Sequence, residues 1–218
     1  MAIPPYSTFL TKATIQKLTV EEKWRSEDTY VTRGAYMYCS FGTHEDILNQ
    51  TESHGVYVNG NPLMTVEDCV VASSDHVTGD VEFDEPGKNI DGNIYSFGFC
   101  RSLAHPLKLA EISSPPLEPE LIGGQPVLDE TPYIFDPENP GNKIYPCVPQ
   151  FDLGLLATAD SSMGTSARWA GGKKNVLIQG VPALTSNSCL FCRWTGVIRF
   201  LTNGMDPAPY ELLPGGIK

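Results

Sequence analysis

The stretch His54-Gly-Val-Tyr-Val-Asn-Gly-Asn-Pro-Leu-Met-Thr-Val-Glu-Asp-Cys69 decides how this chain is read. It recurs, without a gap and 120 residues later, as Lys174-Asn-Val-Leu-Ile-Gln-Gly-Val-Pro-Ala-Leu-Thr-Ser-Asn-Ser-Cys189. Val56 falls over Val176, Val58 over Ile178, Gly60 over Gly180, Pro62 over Pro182, Thr65 over Thr185 and Cys69 over Cys189. Each copy reads as a half-buried strand with apolar residues at alternate positions. A turn follows in which Gly supplies a positive φ, and a Pro two residues on blocks further ladder pairing. Two related hairpins from one duplicated unit are expected. The alternative, two unrelated strand-turn segments, has to account for six matches in register.

The rest of the chain fits an all-β domain. Its 218 residues, 41% of them apolar, suffice for one packed core, and 20 Gly with 18 Pro interrupt it too often for long helices. Further strands are expected at 30–38, 93–99 and 195–201. A short N-terminal helix is the one helical candidate, over 11–24, with Thr19-Val-Glu-Glu22 as its capping box. Two stretches read as surface-loop insertions into the β framework: the acidic 71–91 and the Pro-rich 106–146. The second exceeds the usual length of a structureless loop, so it should lie extended along the domain or meet a partner. The layout is an N-terminal extension over 1–29, a domain over 30–201 carrying both insertions, and a C-terminal tail over 202–218.

A formal charge of −11 argues against partners held through phosphate, because such binding rests on clustered Lys and Arg. Nucleic acid and anionic lipid are therefore not expected. The start, Met1 to Leu10, lacks the basic and apolar regions of an export signal, and no run approaches the ~18 apolar residues of a membrane span. The expectation is synthesis in the cytoplasm without a signal peptide, no stable membrane anchoring, and departure only as cargo or as part of a larger particle.

In such a chain six cysteines (Cys39, Cys69, Cys100, Cys147, Cys189, Cys192) point to metal binding or reduced thiols rather than a disulfide framework. Thiolates bind zinc or iron tetrahedrally, and a closed four-ligand site adds folding free energy without catalysis. Cys189-Leu-Phe-Cys192 has the spacing of a zinc knuckle, but a second C-x-x-C is missing. Spacing alone leaves metal ligands and buried inert thiols equally open.

A series of short signatures goes further. Tyr30-Val-Thr-Arg-Gly-Ala35, Cys39-Ser-Phe-Gly42, Ser53-His-Gly-Val-Tyr-Val58 and Asn93-Ile-Tyr-Ser-Phe-Gly-Phe-Cys100 come first. Pro146-Cys147 with Pro149, Pro182-Ala-Leu-Thr185 and Cys192-Arg-Trp-Thr-Gly-Val-Ile198 complete the set. Together they resemble the PAAR-like proteins, a family long catalogued only as a domain of unknown function, over about Tyr30 to Leu201 with both insertions outside. The resemblance implies a short, metal-stabilised β-cone seated on the blunt end of a trimeric spike of the valine-glycine repeat type. Such spikes belong to type VI secretion systems and extracellular contractile injection particles. It implies one copy per spike, a structural role in piercing the target membrane, and no enzymatic activity.

Carried over position by position, the resemblance also implies one structural metal ion, zinc or alternatively iron, with Cys39, Cys100, Cys147 and Cys192 as ligands. Cys69 and Cys189, equivalent in the two repeats, form a second, pairwise candidate. They would be core thiols, a disulfide formed after release, or substitutes for two of the four. The chain departs from the family where Gly-Gly follows the last Cys-x-Trp, since Thr195-Gly196 stands there.

The histidines read conservatively. His54 is first a hydrogen-bonding residue and second a metal ligand of the kind found in true PAAR domains; His44, His76 and His105 fall in expected loops. There is no H-E-x-x-H and no G-x-S-x-G. Gly171-Gly-Lys-Lys174 lacks the earlier Gly and following Ser or Thr of a phosphate loop, and reads as the turn entering the second repeat strand. Two further functions are carried forward: an adaptor that docks a toxin effector onto the spike through one of the insertions, and a zinc or thiol hydrolase. The segment up to Trp24, with Phe9, Leu10, Ile15 and Leu18, is expected either to contact the spike or to form a disordered tail.

Overall fold

Both copies of the repeat fold as hairpins with the same turn. The computed structural model describes residues 10–20, 28–72, 92–113, 121–122, 125–126, 133–147, 149–151 and 167–213. Among these the chain runs α1 (Lys12–Val20), β1 (Tyr36–Cys39), β2 (Glu45–Ile47), β3 (Tyr57–Val58), β4 (Asn61–Pro62), β5 (Phe99–Cys100), α2 (Pro106–Ser113), β6 (Leu121–Ile122) and β7 (Gln125–Pro126). It continues β8 (Ile134–Asp136), β9 (Asn139–Pro146), β10 (Lys173–Ile178), β11 (Val181–Ala183), β12 (Cys189–Phe191) and β13 (Val197–Phe200), with a 3-10 turn at Tyr210–Leu212. Strand thus outweighs helix, in agreement with the all-β expectation at that level.

The hairpins are β3–β4 and β10–β11. Their turns repeat almost angle for angle: φ is 51° at Asn59 and 83° at Gly60, 50° at Gln179 and 85° at Gly180. Two successive positive φ values suit the right-handed twist of tightly joined strands. The likeness continues beyond the turns. The Thr65 N–H donates to Asp68 Oδ2 at 2.6 Å, and the Thr185 N–H to Ser188 Oγ at 3.2 Å, from equivalent positions. The copies also meet, through Leu184 N–H to the Met64 carbonyl and Val66 N–H to the Pro182 carbonyl. Val31 threads beside them, accepting from Met64 and donating to Leu184. Val31, Met64 and Leu184 are all fully buried.

A four-stranded antiparallel sheet, ordered β12-β13-β1-β2, carries the principal core. Alternation along Tyr-Met-Tyr-Cys in β1 turns Met37 and Cys39 inward. Phe97, Ile94, Leu190, Ile198 and Trp169 close over them, and the Trp169 ring stacks on Phe200 at 4.7 Å.

Several expectations change. The strand expected over 30–38 pairs continuously only from Tyr36, because Gly34 (φ 91°) breaks it after isolated bridges at Tyr30 and Thr32. The one expected over 93–99 is confined to Phe99–Cys100 by the kink at Gly98 (φ 72°). The strand over 195–201 is present as β13.

The largest correction concerns 106–146, whose described residues are mostly helix and strand. It holds α2, the β6–β7 hairpin and the β8–β9 hairpin, and β9 pairs with β5 in a three-stranded sheet ordered β5-β9-β8. Of the acidic insertion, residues 73–91 lie outside the described residues; Val71 and Ile94 flank them in a parallel bridge.

The N-terminal helix forms, but Thr19-Val-Glu-Glu22 does not start it. Thr11 does, its Oγ1 accepting the Thr14 N–H at 3.1 Å. Leu10 is buried and Ile15 half-buried against Leu201, Leu212, Tyr36 and Tyr38, and Leu18 is fully buried as well. Lys17 Nζ pairs with Glu211 Oε1 at 3.1 Å. These apolar residues are therefore occupied within the chain, and the tail from 202 joins the same cluster through Leu212. Phe9 lies outside the described residues. No helix among the described residues is long and apolar enough to cross a membrane.

Candidate metal centre

Four chain segments bring Cys39, Cys100, Cys147 and Cys192 into one region. Cys39 closes β1, and the Gly42 N–H folds back to its carbonyl at 2.9 Å. Only glycine fits at 42: a Cβ there would meet Phe97 Cβ at 2.6 Å and Cys39 Cβ at 3.3 Å. That close approach lets Gly42 bridge to Cys100, with Arg101 N–H on the Phe41 carbonyl at 2.8 Å. Cys147 follows β9 and extends its pairing with β5, donating its N–H to the Gly98 carbonyl at 2.7 Å. Ser96 Oγ then caps the Cys147 carbonyl at 2.8 Å.

Cys192 lies in the tight turn from β12 to β13, where its N–H reaches the Gly196 carbonyl at 2.8 Å. It bridges to Phe151, in the segment just after Cys147. β13 in turn pairs with β1, placing Ile198 opposite Cys39.

The thiols act on one another. Burial pushes the Cys39 thiol up to about 12, with Cys100 and Cys192 adding to the rise. Cys147 is raised well above the usual thiol range, first because its S–H is held by Cys100, then by burial and by Cys39. Cys100, which receives that hydrogen bond, is lowered despite its burial. Cys192 is raised by burial, with Cys100 adding to it. Without a cation, three of the four are thus held as thiols.

As a donor set, four thiols suit zinc or iron, which would displace those protons on binding. Their spacing fits less well. Among the described residues no group of three or more His, Cys, Asp or Glu side chains is close enough together to hold a metal ion as it stands. Coordination would require the four side chains to contract onto a common centre.

The pairwise candidate forms no disulfide in this structure. Cys69 Sγ donates to the Ala167 carbonyl at 3.0 Å, and burial, with Asp68 and Glu67, pushes its thiol up to about 12. Cys189 sits in mutual backbone pairing with Ala170. All six cysteines are free thiols.

His54 is the hydrogen-bonding residue expected: Nε2 lies 3.0 and 2.9 Å from the Asp68 carboxylate oxygens, and Asp68 Oδ2 also receives the Thr65 hydroxyl. His44 and His105 do lie in loops, but both are buried. His105 stacks on Tyr145 at 5.9 Å with Trp194 beside it, and burial lowers its pKa. His76 lies outside the described residues. Gly171 (φ 88°) makes the turn into β10, as read from Gly171-Gly-Lys-Lys174.

Sequence reasoning missed the support around the thiols. Arg101, next to Cys100, reaches Asp136 at 3.0 Å, Glu138 at 3.2 Å and the Gly42 carbonyl at 3.1 Å. It thereby ties the β8–β9 hairpin to the Cys39 turn. The signal was an Arg beside a candidate ligand, with Asp136-Pro-Glu138 far along the chain as its unrecognised partner.

Residues 31–205 match the family model described as a domain of unknown function, DUF4280. The chain belongs to the DUF4280 family. All six cysteines and both repeats fall within the DUF4280 match, whereas α1 and the Tyr210–Leu212 turn fall outside it. No curated protein and no solved structure matches the chain.

Proposed function

We propose that this DUF4280 chain is a structural spike-tip protein. In this reading it is a β-cone of PAAR-like type that caps the trimeric valine-glycine repeat spike of a contractile injection system and helps pierce the target membrane. One zinc or iron ion, held by Cys39, Cys100, Cys147 and Cys192, stiffens the point. The protein is made in the cytoplasm, mounted on the particle as one copy per spike, delivered with it, and performs no catalysis. The observation that carries this is the gathering of three buried cysteines, Cys39, Cys100 and Cys147, and the half-buried Cys192 from four chain segments into one region, beside a duplicated hairpin unit.

A metal closed by four protein ligands supplies folding free energy and has no open position for substrate. That suits loops which must resist unfolding under load. It counts against a hydrolase, as does Cys100, the one lowered thiol, whose partner is another thiol rather than a base.

The test is elemental analysis of the purified full chain, with melting before and after chelation. About one zinc or iron per chain is expected, lost on changing Cys39, Cys100, Cys147 or Cys192 to Ser but kept on changing Cys69 or Cys189. A metal-free protein whose melting ignores chelator sinks the metal reading. Imaging the chain with a trimeric spike protein tests the rest, and no density at the spike tip would reject the cap.

The adaptor reading draws on one observation. The arm over 106–146 exposes Leu109 and Ile112 on α2 and Phe135 on β8. Replacing these three with Glu should stop toxin export while particles still assemble.

A further inference from the structure

We infer that Cys100 and Cys147 are a redox-closable pair, the site at which a peroxide oxidant cross-links the domain. The pairing of β5 with β9 sets Cys100 opposite Tyr145 and Phe99 opposite Pro146, and the Cys147 N–H to the Gly98 carbonyl carries the ladder one step further. Residues two apart on a strand share a face, so Cys100 and Cys147 project from the same side as diagonal neighbours. Cys147 faces Gly98, which has no side chain to hold it away. The two thiols lie close enough to act on each other directly.

The other cysteines are engaged differently. Burial raises the Cys39 and Cys192 thiols first of all, Cys69 is bound to the Ala167 carbonyl, and Cys189 lies in the Ala170 pairing.

The chemistry balances with hydrogen peroxide as oxidant. The Cys100 sulfur attacks one peroxide oxygen, the O–O bond breaks, and the departing hydroxide leaves as water with the thiol proton. Cys147 then attacks the sulfenic sulfur; the S–S bond forms, and the sulfenic oxygen leaves as water with the Cys147 proton. Two thiols lose two electrons and two protons, and peroxide is reduced to two waters. Resting on the metal reading above, the bond removes two of four ligands, so cross-linking and metal occupancy exclude each other.

The test treats the reduced full-length chain with hydrogen peroxide in chelator, alkylates the remaining thiols, and maps peptides by mass spectrometry without reduction. One cross-link between the Cys100 and Cys147 peptides is expected, with Cys69 and Cys189 alkylated. Recovery of either residue linked mainly to Cys39 or Cys192, or as isolated sulfinic acids, or unoxidised, overturns the proposal. Cys100→Ser and Cys147→Ser should each abolish the link; where either fails to fold, the wild-type map decides alone. A parallel sample pre-loaded with zinc separates the two readings. Protection by zinc supports both, whereas a cross-link formed equally with zinc leaves the redox pair standing and removes the shared metal site.

Discussion

The sulfur of Cys39 lies where a side chain on Gly196 would have to go: a Cβ at 196 would stand 2.7 Å from Sγ and 3.5 Å from Cys192 Cβ. The β12–β13 turn therefore reaches the thiols only because residue 196 has no side chain. Gly196→Ala should cost about 1–3 kcal/mol through overpacking. Urea unfolding of the metal-free chain measures it. Cys39→Ala removes the opposing atom, so the double variant should lose less than the sum of the single losses. Strict additivity would show that the two residues do not press on each other.

Thr195, beside it, is a β-branched residue at φ 67°. Left-handed backbone costs a residue with a Cβ roughly 1–2 kcal/mol. The Thr195 hydroxyl recovers part of that through hydrogen bonding to the Trp194 carbonyl at 2.6 Å. Thr195→Gly should raise stability by about 0.5–1 kcal/mol. Thr195→Ala, which keeps the strain and loses the hydroxyl, should lower it. Thermal melts of both variants make the comparison, and equal effects would mean the backbone is not the source.

Arg101 holds the arm to the thiol region through Asp136, which is 1% exposed. Burial alone would raise the Asp136 carboxyl, yet it is held below the usual range by Asn139, the Glu138 N–H and Arg101. Arg101→Met leaves that carboxylate buried without its cation and should cost about 3–5 kcal/mol. Adding Asp136→Asn should recover part of the loss. Arg101→Lys should not rescue fully, since an ammonium lacks the fork that meets Asp136, Glu138 and the Gly42 carbonyl together. Denaturant midpoints of the three variants test this.

Asp46 gives a pH dependence. Burial raises its carboxyl from 3.8 to about 7, against N–H groups of Tyr95, Ile47 and Ser96 that favour the anion. The folded chain then keeps a proton that the unfolded chain releases. Its contribution to stability is fully present below about pH 4 and is lost as pH rises through about 7. Unfolding free energies of wild type and Asp46→Asn between pH 4 and 8 should show that fall only in the wild type. Parallel curves would refute it.

The parts legible in the sequence were those governed by neighbours. Alternating apolar residues and a Gly-containing turn act over a few positions, and both hairpins, β13 and the N-terminal helix followed from such rules. The helix cap was misassigned because Thr19-Val-Glu-Glu22 carries the fuller capping-box pattern, whereas Thr11, with Thr14 three residues on, caps the helix. The arm over 106–146 was hidden by its prolines. Pro137 falls in the β8–β9 turn and Pro140 near the exposed start of β9, so the ladder tolerates what composition counted as loop.

The sequence by itself determined a duplicated β unit and membership of the DUF4280 family, while the choice of four cysteines to watch came from a resemblance. Tertiary structure alone decided how those four are gathered and that Cys69 and Cys189 are separate free thiols. It also decided that, as thiols, the four stop short of converging on one metal-sized centre. The reason is physical. Thiol proximity here depends on close backbone approaches at Gly42 and Gly196 and on β9 pairing with β5, contacts between distant segments that no spacing of residues along the chain encodes.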